Sequence, residues 1–124
     1  MTVIRHSETR RTETPSGIMT TLASPNQGGS SLSLWRVEMG PGKSGPLHFI
    51  DVEQIWTIVT GRAEIDLNGT DLVAEAGDTA VLPADVLRQI TSGPEGVTAI
   101  VTAPANARAG TPDTDTTVVP PWIA

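Results

Sequence analysis

The chain has 124 residues, a formal net charge of −6 and no cysteine. This length fits one domain with a core of its own, and an acidic chain without basic clusters argues against nucleic acid and anionic membranes as partners. The absence of cysteine excludes disulfides, thiolate metal ligands and a cysteine nucleophile. No apolar run approaches the ~18 residues that span a bilayer, and the first residues lack the apolar stretch of a signal peptide. We therefore expect a cytoplasmic protein.

Short strands joined by turns are predicted along most of the chain. The 12 glycines and 10 prolines are spread along the sequence, which is typical of many strands connected by tight turns. Residues 31–39 alternate in character, so Trp35, Val37 and Met39 share one face of a strand. The predicted strands cover residues 18–23, 31–39, 54–60, 63–67, 71–74, 79–82, 87–91 and 97–102.

The spacing of the turns indicates the architecture. An Asn-Gly pair at positions 68 and 69 is the strongest hairpin signal, because both residues tolerate the positive φ of a type I′ turn. About nine strands with no helix, broken by regular turns, predict an all-β jelly roll. Residues 1–15 are expected to form an N-terminal arm, residues 16–103 the barrel, and residues 104–124 a C-terminal extension.

One segment resembles the first motif of the cupin superfamily. That motif runs glycine, five residues, His-x-His, three or four residues, glutamate, six residues, glycine. Gly42, His48 and Gly61 match this pattern. Gln54 stands at the glutamate position and Ile50 at the second histidine position.

A later segment resembles the second cupin motif, which runs Gly-Asp, a strand, Pro-x-Gly, two residues and histidine. Gly77, Asp78 and Pro83 match. Asp85 stands at the glycine position, and Arg88 falls at the histidine position. The resemblance implies a single-domain cupin-like jelly-roll β-barrel.

In its usual form this family also implies three imidazoles and a carboxylate on one divalent metal. Here Ile50 cannot ligate, and the arginine at the last histidine position stays protonated. His48 and the neutral oxygen of Gln54 make a poor site for a transition metal, so we expect no cofactor. The alternative is a metal held by His48, Gln54 and an acid from residues 51–53.

Without a metal, the same positions predict a polar pocket. Alternation points Gln54 and Trp56 into the barrel with His48, and Arg88 is expected to enter from the opposite strand. Arg88 suits a carboxylate, enolate or phenolate oxygen, while His48 can transfer a proton near neutral pH. The predicted catalytic residues are His48 and Arg88, and the predicted substrate-binding residues are Gln54, Trp56, Arg88, Trp35 and Ile50.

Each of these residues also has a structural alternative. The histidine could be a hydrogen-bonded packing residue, and the glutamine could satisfy the backbone of a loop. Arg88 could face solvent or pair with Glu64 or Asp66. Both tryptophans are more typical of a core than of a ligand-stacking surface.

The leading functional hypothesis is a small enzyme of bacterial secondary metabolism. It would bind an organic acid or polyketide-like substrate in the barrel and catalyse metal-independent isomerisation, cyclisation or dehydration. A non-catalytic module that senses or carries a small molecule is the second hypothesis, and a metal-dependent enzyme with an atypical site is the third. We also expect a homodimer, because residues 18–22 and Trp122 are apolar enough to join two copies.

Overall fold

The computed structural model describes residues 2–124, which form an antiparallel β structure with a short 3₁₀ turn at His6–Glu8. None of the helical structure in this range is long and apolar enough to cross a membrane. The strands are β1 (Arg10–Thr14), β2 (Gly17–Ala23), β3 (Leu32–Met39), β4 (Phe49–Ile50), β5 (Gln54–Leu67), β6 (Thr70–Glu75), β7 (Thr79–Leu82), β8 (Arg88–Pro104) and β9 (Ala109–Gly110).

The strands form two sheets. The larger sheet has the order β1-β2-β3-β8-β5-β6, with β7 also paired to β5, and β4 pairs with β9 in the smaller sheet. The connections skip between distant strands, as in a jelly roll. The predicted all-β jelly-roll barrel is therefore confirmed.

Two long bent strands close the barrel. The first part of β5 pairs with β7 and with the end of β8, and its second part pairs with β6 and with the start of β8. At the bend, Gly61 and Gly96 have φ of 72° and 81°, and a Cβ on Gly61 would collide with the carbonyl oxygen of Gly96. Only glycine fits such an approach. The sequence prediction divided β5 and β8 into two strands each, because it interpreted these glycines as turns rather than bulges.

Two local predictions are confirmed. Trp35, Val37 and Met39 are all buried on one face of β3, as the alternation indicates. The Asn68-Gly69 pair turns between β5 and β6 with φ of 49° and 86°, which are the signs that a type I′ turn requires.

Both terminal segments pack on the barrel. The expected N-terminal arm contains β1, which pairs with β2, and the C-terminal extension contains β9. Near the C-terminus, Thr21 Oγ1 donates to the carbonyl of Trp122 at 2.8 Å, and Ser33 Oγ donates to that of Ile123 at 2.6 Å. These contacts join residues far apart in sequence, so no local pattern predicts them.

Candidate active site

A cavity of about 900 Å³ lies inside the barrel; we refer to it as the barrel cavity. Its walls are mainly apolar, and no Asp, Glu, Lys or Arg of residues 2–124 is among the lining residues. His48 is therefore the lining side chain that titrates near neutral pH. The larger apolar side chains of the wall include Met19, Trp35, Met39, Trp56, Ile90 and Trp122.

His48 lines the barrel cavity with one ring nitrogen free. It pairs with Arg88 through two backbone hydrogen bonds, of 3.0 Å and 2.8 Å, which fix its place at the start of β8. Its Nδ1 lies 2.8 Å from the carbonyl oxygen of Pro46. A carbonyl can only accept, so Nδ1 carries the proton and Nε2 keeps a lone pair. Burial lowers the pKa of His48, opposed by the Pro46 hydrogen bond and reinforced by the charge of Arg88. The ring is therefore a neutral base at pH 7.

Gln54 lies on the cavity wall at the start of β5 and is 4% exposed. Its Oε1 accepts a 3.1 Å hydrogen bond from Arg88 Nη1. A guanidinium only donates, so the amide oxygen must face Arg88. The amide NH₂ is then the part of Gln54 left for the cavity. The oxygen of Gln54 accepts from a side chain, and not from the backbone of a loop as the alternative interpretation expected.

Arg88 is fully buried but is not among the residues that line the cavity. Its guanidinium donates to Gln54 Oε1, to the carbonyl of Val86 at 3.0 Å and to that of Pro83 at 2.6 Å. The prediction that Arg88 enters the barrel beside the substrate therefore needs correction, because it lies behind Gln54. The two alternatives also fail: Arg88 does not face solvent, and its hydrogen-bond partners include neither Glu64 nor Asp66.

The remaining predicted site residues line the cavity. Ile50 is 2% exposed, and Trp35 and Trp56 are buried alongside it. Both tryptophans belong to the hydrophobic core and to the cavity wall at once, so the two interpretations of these residues are compatible. The Trp56 indole N–H is buried without a hydrogen-bond partner.

Part of the cavity wall comes from the C-terminal segment, which was not among the predicted site residues. Thr111, Thr114 and Thr116 line the cavity, together with Trp122 and Ile123. The apolar character of residues 118–122 indicated that they dock on the barrel or on a partner subunit, but not that they reach the cavity. The threonines gave no signal, because single hydroxyl side chains in a polar loop are common.

The barrel fold agrees with the protein family that the sequence matches. The family model described as Cupin domain matches residues 35–101, which is more than half of the chain. The chain belongs to the cupin family. Asp85 of this cupin stands at the motif glycine position and has φ of 65°, a left-handed conformation that glycine adopts most readily. No curated protein sequence matches the chain.

Solved structures resemble this cupin in fold. An RmlC-like cupin from Shewanella frigidimarina is 20% identical, with a TM-score of 0.67 over 79% of this chain and 85% of the other. KdgF from Halomonas sp. is 19% identical, with a TM-score of 0.68 over 84% and 94%. Oxalate decarboxylase from Bacillus subtilis is 17% identical with a TM-score of 0.69, and this cupin spans 27% of that chain. The last protein has Mn(II) centres.

The residues of this cupin do not fit the metal that the family motifs imply. Nowhere in residues 2–124 do three or more His, Cys, Asp or Glu side chains gather as a metal would need. The oxygen of Gln54 is turned to Arg88, and the amide NH₂ that remains cannot ligate. Asp51 and Glu53 are exposed, and Asp51 accepts a hydrogen bond from the Arg108 backbone. His48 alone is no transition-metal site.

Proposed function

We propose that this cupin binds an organic small molecule in the barrel cavity and catalyses metal-independent proton transfer next to a carbonyl. The observation that carries the proposal is a matched pair of groups at the cavity wall. His48 offers a lone pair on Nε2, because Pro46 holds its Nδ1–H, and Gln54 offers N–H donors, because Arg88 holds its oxygen. Enolisation needs a base and a hydrogen-bond donor that face the same substrate, and both groups line one cavity.

The chemistry follows from these two roles. A substrate carbonyl oxygen accepts a hydrogen bond from the Gln54 amide, and Nε2 of His48 removes a proton from the neighbouring carbon. The C–H electron pair becomes the new C=C bond while the carbonyl pair moves to oxygen. If the enolate is conjugated with a further C=C bond of the substrate and His48 returns the proton to the far carbon, the C=C bond moves next to the re-formed carbonyl, and the result is an isomerisation. If the enolate carbon attacks a second carbonyl of the same molecule, the result is a cyclisation, and His48 returns the proton to the new oxygen.

The apolar lining of the cavity supports this chemistry. Trp35, Trp56 and Ile50 form an apolar wall, and hydrogen bonds to developing charge are stronger beside apolar groups than in water. His48 also stays neutral there, because burial lowers its pKa. No cofactor enters the proposal.

The experiment measures enolisation without knowledge of the product. The protein is incubated in D₂O with a panel of 1,3-diketones, β-keto acids and aryl ketones, and proton NMR follows exchange at the carbon next to the carbonyl. We expect enzyme-dependent exchange for at least one compound that His48→Gln slows at least ~100-fold. The matched control is His6→Gln, because His6 is the second histidine and lies exposed in the 3₁₀ turn. Equal rates for the wild type and His48→Gln would refute the proposal.

A non-catalytic binding protein is the second candidate. It is favoured by the apolar lining of the cavity, which would retain a small molecule by burial alone. The same incubation separates the two functions. A compound that binds saturably but shows no exchange above the protein-free rate would support binding without catalysis.

A further inference from the structure

We infer that the barrel cavity takes a ligand with one oxyanion at the Gln54 end, and that Arg88 supplies the compensating charge from behind the wall. The ligand class is therefore a carboxylate, phenolate or enolate attached to an apolar body. This inference rests on the site proposed above and assigns its ligand class. Arg88 acts through Gln54, so it is a positioning residue rather than a catalytic one.

The charge of Arg88 is not neutralised by any of its hydrogen-bond partners. The side chain is fully buried, and the three groups that it contacts, Gln54 Oε1 and the carbonyls of Pro83 and Val86, are neutral. Salt bridges elsewhere in residues 2–124 do not include it. Asp85 raises its pKa from a distance, against the larger effect of burial, but Asp85 is exposed and its field is screened by water. Arg88 therefore has no salt-bridge partner, and only the screened field of Asp85 opposes its positive charge.

The charge of Arg88 acts on the cavity through the amide of Gln54. Arg88 Nη1 holds Gln54 Oε1, so the amide dipole lies with its negative end on the guanidinium and its positive end toward the cavity. Each hydrogen bond in such a chain polarises the next. An oxygen that accepts from the Gln54 amide thus feels both the amide N–H and the cation behind it. A negative charge on that oxygen is stabilised in a low-dielectric site.

The charge near the cavity differs in sign from the net charge of the protein. The protein carries a formal net charge of −6, yet none of its acidic residues lines the cavity. The charged group nearest to the Gln54 amide is thus the Arg88 cation that it hydrogen-bonds, in a protein of negative net charge. The family pattern would use a divalent cation here. In this chain the positive charge belongs to a side chain, so a chelator cannot remove it.

The test uses 4-nitrophenol, whose phenolate absorbs at longer wavelength than the phenol. The bound probe is titrated in EDTA with the full-length protein. We expect its pKa to lie about one pH unit below that of the free probe, as for an acid near a cation. Arg88→Met should abolish the lowering, whereas Arg88→Lys, which keeps the charge, should retain part of it. Arg36→Met is the matched control, because Arg36 lies on β3 in a surface ion pair with Glu38.

A second measurement needs no variant, in case Arg88→Met fails to fold. The wild-type protein should bind 1-naphthoate at least about tenfold more tightly than 1-naphthamide, which has the same shape without the charge. Equal affinities, no saturable binding of either compound, or an unshifted 4-nitrophenol pKa would overturn the inference. Anion preference without carbon–hydrogen exchange would leave it standing and remove only the proposed reaction. Exchange without anion preference would support the proposed reaction and overturn the inference about the ligand class.

Discussion

Arg88 Nη1 donates a 3.1 Å hydrogen bond to Gln54 Oε1, and this contact decides which end of the amide meets the cavity. The two residues are far apart in sequence and stand at the motif positions where the family has a histidine and a glutamate. A cation beside an amide therefore takes the place of two metal ligands.

Replacement of the donor at Gln54 should abolish proton transfer. Gln54→Glu puts a carboxylate against Arg88, so the cavity gains an acceptor where it had an N–H donor, and the charge of Arg88 is neutralised. We expect the exchange rate to fall about 100-fold or more, the usual effect of losing one donor to developing negative charge. NMR in D₂O measures it. Wild-type exchange in a folded Gln54→Glu protein would contradict the assigned role.

The pH profile should report His48 as a base. Burial lowers its pKa below the ordinary value of 6.5, and only the neutral ring can accept a proton. The exchange rate should therefore rise with pH to a plateau, with a midpoint below 6.5. A midpoint above that value would mean that another group acts as the base.

The same lowered pKa has a consequence for stability. Between the folded pKa and 6.5, the unfolded imidazole binds more protons than the folded one. The contribution of His48 to the free energy of unfolding is therefore complete above pH 6.5 and is lost as pH falls through the folded pKa. Urea unfolding of the wild type and His48→Gln across this range isolates it by difference, because the carboxylates are common to both proteins. A difference that does not vary with pH would contradict the lowered pKa.

Gly61 should be the less replaceable of two glycines with positive φ. Gly61→Ala places a Cβ against the Gly96 carbonyl in addition to the backbone strain, and we expect a loss of more than about 3 kcal/mol. Gly69→Ala is the control, since its φ of 86° is similar but nothing lies within 4 Å of the added Cβ. It should cost about 1 kcal/mol. Equal losses in urea unfolding would show that the approach to Gly96 is not limiting.

Restoring the family residues should create a metal site. The triple variant Ile50→His, Gln54→Glu and Arg88→His adds two imidazoles and a carboxylate to His48, the usual family set. We expect one equivalent of Mn(II) or Zn(II) by elemental analysis, against a substoichiometric amount in the wild type. A substoichiometric amount of metal in the folded triple variant would show that the motif positions do not converge. Stoichiometric metal in the wild type would revive the alternative that it is a metalloprotein.

The homodimer stays a prediction, and β1 is the edge that suits it. Residues 18–22 lie in β2 between β1 and β3, while β1 ends the sheet. Antiparallel pairing of two copies centred on Thr12 would set Arg11 of each opposite Glu13 of the other. Light scattering should give twice 13.0 kDa. Arg11→Glu should weaken the dimer, and the double exchange with Glu13→Arg should restore it; a monomeric wild type would contradict the prediction.

The sequence predicted the fold well because the barrel depends on signals that are local. The alternation around Trp35 and the Asn-Gly turn both report the conformation of a few neighbouring residues. The motif positions also located the wall that holds His48, Gln54 and Ile50. The motif spacing therefore located the candidate site residues, although no strand was predicted where β4 lies.

What the sequence could not predict depends on contacts between distant residues. Arg88 shares a sheet face with His48, but only packing turns its side chain behind Gln54 instead of into the cavity. The orientation of the Gln54 amide follows from that packing. Similarly, β4 and β9 have two residues each, too few to carry a periodic pattern.

Ligand binding is coupled to the docking of the C-terminal segment on the barrel. Trp122 and Ile123 form part of the cavity wall, and Thr21 and Ser33 hold their carbonyls from across the barrel. A ligand that fills the cavity can bind only when this segment is in place, so its affinity includes the equilibrium of docking. Changes at Thr21 or Ser33 would thus weaken binding although neither residue lines the cavity.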